Sequence, residues 1–146
     1  MSRQLVRECE ALFGTADGQL LSRTHVACTV GAAGTAGTDL GETIAAIAPY
    51  DGRIVGVQFA ANAAVAEHAS NYATFTLEDA AGNVIASRDT DSAGDGGVEA
   101  LTTDDLTPVA AQAEVSAGDP LVVDVIKAAS GVATPVAIFM VEIEPR

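Results

Sequence analysis

From residue 42 onward, apolar and polar positions alternate in short runs broken by turn residues. Arg53 to Ala60 sets Val55, Val57 and Phe59 against Gly56 and Gln58. Asn71 to Glu78 sets Ala73, Phe75 and Leu77 against Tyr72, Thr74 and Thr76. Side chains two apart share one face of a strand, so each run predicts a strand with one buried face. The pattern continues through Glu42 to Ala48, Val84 to Arg88, Leu106 to Val115, Leu121 to Lys127 and Val136 to Glu144, with a weak strand near Val98 to Leu101. Asp51-Gly52, Ala80 to Asn83, Asp89 to Gly97 and Ala117 to Pro120 supply turns. About eight strands at this spacing leave little room for crossover helices and predict an all-β antiparallel sandwich or barrel. Ala63 to Ala69 fits either a helical turn or a loop.

The first 41 residues follow another pattern. Leu5, Val6, Cys9, Leu12 and Phe13 recur near helical spacing and predict one apolar stripe on a short N-terminal arm. Residues 19–30 alternate as a strand, with Val26, Cys28 and Val30 on one face and Arg23 and His25 on the other. Gly31 to Gly41 holds four glycines and a single large apolar residue, Leu40, which reads as a tether. The expected division is therefore an arm, first strand and tether over 1–41, followed by a β-sandwich over 42–146. The stripe formed by Leu5, Val6, Cys9, Leu12 and Phe13 is the candidate partner-binding element. The other reading of it is packing against its own domain.

Length and composition narrow the function classes. A chain of 146 residues suits one domain with its own core. Its 20 acids and 7 bases give a net charge of −13, and Lys127 is the only lysine. Phosphate backbones and anionic lipids require clustered Lys and Arg, so neither nucleic acid nor a membrane surface is an expected partner. The acidity has three readings: solubility, adaptation to high salt, or a genome composition that disfavours lysine. Cys9 and Cys28 do not form a disulfide framework, and both are read as free thiols, Cys28 as a core filler. No signal-peptide pattern and no membrane-length apolar run is visible, which predicts synthesis in the cytoplasm.

No catalytic apparatus is legible. His25 and His68 are the only histidines, and no GxSxG elbow accompanies them. The DTDSAGDGG run from Asp89 to Gly97 suggests a cation loop, but Ala93 occupies the third ligand position of the EF-hand pattern and the bidentate Glu is missing. It reads as an acidic hairpin loop. Phe59, Phe75 and Phe139 fall on inward faces, leaving few aromatic platforms for sugars. The expectation is a protein that is not an enzyme, with no metal site and no cofactor.

The stretch from Ile44 to Glu144, about two thirds of the chain, resembles the small β-sandwich head decoration, cement or minor capsid proteins of tailed viruses. The resemblance lies in the order of GRIVGVQFAANAAVAE, SNYATFTLED, VIASRDT, TPVA and VSAGDPLVVDVIKAASGVATP before a last strand ending in alternating acids. It implies a jelly-roll-like sandwich on the capsid exterior of a virion, with the major capsid protein as partner and a homo-oligomer, a trimer favoured. The alternative is a carbohydrate- or receptor-binding module of a viral fibre or spike.

The charge generates the first prediction. Thirteen net negative charges on one small domain repel one another and oppose the compact state. The Debye length falls from about 10 Å at 0.1 M salt to about 3 Å at 1 M. Melting temperature in a potassium chloride series should therefore rise between those concentrations. A flat profile removes the repulsion argument, and a continued rise above 1 M identifies adaptation to brine.

Overall fold

The computed structural model describes residues 22–34 and 40–146. The strands are β1 (Thr24–Val30), β2 (Thr43–Ile47), β3 (Gly52–Ala61), β4 (Ala73–Glu78), β5 (Val84–Asp89), β6 (Thr103–Leu106), β7 (Glu114–Val115), β8 (Pro120–Lys127) and β9 (Ala137–Pro145). They form two antiparallel sheets. The first has the order β1-β9-β3-β6, with β7 also paired to β3, and the second has the order β2-β8-β4-β5. The fold is an all-β sandwich, as the alternation predicts. The pairs are nested: β4 with β5 innermost, then β3 with β6, β2 with β8, and β1 with β9.

The core lies between the sheets and is filled by the inward members of each alternating run. Phe59 of β3 sits at its centre, 5.0 Å from the ring of Phe75 on β4 and 5.2 Å from Phe139 on β9. These tilted pairs are the favoured aromatic geometry. Ile54, Leu77, Ile85, Leu121 and Ile143 complete the layer, all buried. Cys28 is also buried, and desolvation pushes its thiol up to about 12, so the group is a neutral filler.

Three expectations about local structure are corrected. Thr24–Val30, grouped above with the N-terminal segment, pairs with β9 over its whole length and contributes Cys28 and Val30 to the core. The sandwich thus begins before residue 42. Leu106 to Val115 is not one strand. Pro108 has no N–H to give a ladder and restricts Thr107, and Val109 sends its N–H to the carbonyl of Ile85 in the other sheet, at 2.8 Å. A 3-10 turn at Ala110–Gln112 and the two-residue β7 follow. Ala63 to Ala69 takes the loop alternative of the two open for it, and Val65 and Val98 exchange backbone hydrogen bonds of 2.9 Å that tie two loops together. Val98 to Leu101 makes only isolated bridges.

Turn chemistry holds the hairpins. Between β4 and β5, the Asp79 carboxylate accepts from the Asn83 amide at 2.8 Å and from the backbone N–H groups of Asn83 and Ala81 at 2.9 and 2.8 Å. These bonds hold its carboxyl below the usual range, and Gly82 turns the chain with φ of 80°. At the start of β3, a Cβ on Gly52 would lie 2.5 Å from the carbonyl oxygen of Glu144, so only glycine permits this approach of β3 to β9.

Phe59 supports both neighbouring rings, so its truncation tests the core. Phe59→Ala should cost about 3–5 kcal/mol in urea unfolding. A loss well under about 1 kcal/mol would mean that the inter-sheet packing is not as described.

Candidate interaction surface

The outward face of the first sheet is built in rows by the register of its strands. Thr103, Ala60, Ile138 and Thr29 lie side by side across β6, β3, β9 and β1. The next row is Asp105, Gln58, Met140 and Ala27, and the next is Gly56, Glu142 and His25. Gly56 and Ala60 on β3 and Ala27 on β1 leave room beside larger neighbours, and the face holds two shallow depressions. A register shift between Ile54 and Gly56 sets Gly56 opposite Glu142. A Cβ on Gly56 would meet the Glu142 carboxylate at 3.0 Å, so the missing side chain makes room for that carboxylate.

One half of the face is polar. His25, Gly56, Gln58, Asp105, Met140 and Glu142 line a depression of about 290 Å³. The Gln58 amide donates to Asp105 at 2.8 Å. Arg23 reaches Glu142 at 3.3 Å and Glu144 at 3.4 Å, and the hydrogen bond and charge of Glu142 raise the guanidinium above its ordinary value. These groups are exposed, so the ion pairs position side chains more than they stabilise the fold.

The other half is apolar. Thr29, Ala60, Asn62, Leu101, Val136 and Ile138 line a depression of about 420 Å³. Leu101 rises beside it with 81% of its surface exposed. Its φ is 58°, in the left-handed region that a leucine occupies only at a cost. The conformation is held by its N–H, which donates to the carbonyl of Ala61 at 2.8 Å.

Arg88 organises the acidic loop that follows β5. It is 6% exposed and bridges the sheets at their β5 and β6 edges, with Nε 2.8 Å from Asp104. Its other nitrogens donate to the carbonyls of Asp89, Gly96 and Gly97, and Asp95 lies 4.0 Å away. The loop's carboxylates are turned onto its own backbone: Asp89 accepts from the N–H groups of Asp91 and Asp95, and Asp95 accepts from that of Asp89. This arrangement satisfies the Asp89 to Gly97 run internally. Among the described residues no group of three or more His, Cys, Asp or Glu side chains is placed to hold a metal ion.

The remaining candidates stand apart from one another. His68 Nδ1 accepts from the backbone N–H groups of Ser70 and Asn71, at 3.1 and 2.9 Å, which is a loop-capping geometry. His25 is on the outward sheet face, next to Glu142. The stripe residues Leu5, Val6, Cys9, Leu12 and Phe13 lie outside the described residues. Sequence reasoning missed Leu101, Val136 and Gly56. The one available signal was Leu101, an isolated large apolar residue in an acidic stretch.

Arg88→Met should cost about 2–4 kcal/mol, because three backbone carbonyls and Asp104 lose a buried donor. Amide exchange in residues 91–97 should accelerate in parallel. Arg88→Lys should not restore stability, since one ammonium does not span the fork of acceptors. Wild-type exchange in the Met variant would show that the loop is ordered by other contacts.

Compared with protein-family models, curated proteins and solved structures, the chain matches none.

Proposed function

We propose that this chain is a structural virion protein that binds the outer surface of an icosahedral capsid and decorates or stabilises it. The observation that carries the reading is the outward face of the first sheet, broad and shallow, with an exposed, strained leucine at its apolar end. A shallow face with an apolar region beside a polar one suits a protein surface, whereas small ligands are held in deeper clefts. The resemblance of the ordered phrases from Ile44 to Glu144 to tailed-virus decoration proteins supports the same reading. The nested pairing of β1 with β9, β2 with β8, β3 with β6 and β4 with β5 supports the jelly-roll-like wrapping that this reading expects. The partner in this reading is the major capsid protein, and the chain acts as a homo-oligomer, with a trimer favoured.

One observation favours the alternative, a carbohydrate- or receptor-binding module. His25, Gln58, Asp105 and Glu142 line one depression and offer the donors and acceptors that sugar hydroxyls need. Its lining includes no Phe, Tyr or Trp, and Phe59, Phe75 and Phe139 are in the core.

The deciding experiment mixes the full chain with capsid shells assembled from the major capsid protein of the same genome. Saturable co-sedimentation, with added density on the shell exterior by cryo-imaging, is the expected outcome. Failure to sediment with shells at micromolar concentration removes the capsid reading, and specific retention on a glycan array would establish the alternative.

A further inference from the structure

We infer that Leu101, together with the apolar depression beside it, is the attachment point of this protein, and that its partner offers an apolar recess bordered by lysine or arginine side chains. This rests on the reading that the chain docks on a capsid and deepens it by naming the face and the chemistry it meets.

Three observations converge on Leu101. The first is exposure: at 81%, it is the most exposed of the large apolar side chains in the described residues. The second is backbone strain. A φ of 58° costs a leucine free energy that Gly or Asn would not incur, and such strain persists only where the surroundings impose it. Nothing in the packing of the sandwich uses the side chain that is held there. The third is continuity with the 420 Å³ depression formed by Thr29, Ala60, Val136 and Ile138, which gives the partner an apolar surface beside the projecting side chain.

Charge selects the occupant. Asp104 is paired with Arg88, and Asp89 and Asp95 bond their own loop, which leaves two exposed acids near the projection: Glu99, two residues before Leu101, and Asp105 on β6. Asp105 lies two residues beyond Thr103 on β6, about 7 Å along the outward face. An apolar projection in acidic surroundings is complementary to an apolar recess with basic surroundings. Pairing this face with the same face of a second copy would set Glu99 and Asp105 of each against those of the other.

The test uses the full chain and the same capsid shells. Leu101→Asn removes the apolar side chain while keeping a residue that tolerates positive φ. Its melting temperature should equal or exceed that of the wild type, and its attachment should weaken about tenfold or more, as expected when a buried leucine contact is lost. Val136→Ser, on another wall of the depression, should also weaken attachment and supplies the answer if the first variant misfolds. Ile126→Asn, an exposed apolar position on the other sheet, should attach as the wild type does. Attachment of the wild type should weaken between 0.1 and 1 M salt, as screened opposite charges do.

If the wild type binds shells and Leu101→Asn and Val136→Ser bind equally well, the attachment face is wrong while the capsid reading stands. If attachment strengthens with salt, the basic partner chemistry is wrong. If either variant changes the oligomeric state in sedimentation velocity, the face belongs to a second copy of the chain and the inference is overturned. If the wild type does not bind shells at all, the capsid reading fails and this inference fails with it.

Discussion

The placement of β9 between β1 and β3 is the constraint on which the rest of the structure depends. Thr24 pairs with Ile143 on one side of β9, and Ile54 pairs with Ile143 on the other. Strands distant in sequence must meet before the first sheet exists. That sheet carries Phe139 to Phe59, and Phe59 to Phe75 of the opposite sheet, so the core and the long-range pairing form together. Few contacts here are local, a topology associated with slow, cooperative folding. The same strand supplies Ile138, Met140 and Glu142 to the outward face. One strand therefore fixes both the interior and the candidate surface.

The alternation of β3, β4, β8 and β9 is legible because each has one face in the core, which converts burial directly into period two. The N-terminal boundary was harder to read. Ala33 exchanges backbone hydrogen bonds with Thr134, an interaction between distant residues that leaves no local pattern, and the glycines around it look like a tether. The segment from Leu106 to Val115 misleads for another reason: small alanines alternate by chance, and Pro108 with the bond from Val109 to Ile85 decides the path. The candidate face was legible only in fragments. Gly56, Ala60 and Ile138 become one surface through register, which requires knowing that β9 lies between β1 and β3. The strain at Leu101 is a backbone property that side-chain pattern does not encode.

The acidic loop illustrates how charge and architecture divide their roles. Read as composition, Asp89 to Gly97 suggests cation binding. In the fold, its aspartates cap backbone N–H groups, and the buried guanidinium of Arg88 collects the carbonyls left over. A single base thus converts a self-repelling run into an ordered loop. Arginine suits this place because its planar fork satisfies several acceptors at fixed angles.

The buried thiol of Cys28 has a consequence for where the fold can persist. Oxidation and thiol–disulfide exchange proceed through an exposed thiolate. A group pushed to about 12 inside a packed sheet presents neither the ionised form nor access. At this position the core is therefore indifferent to redox poise, and transfer from a glutathione-rich interior to an aerated medium leaves its chemistry unchanged.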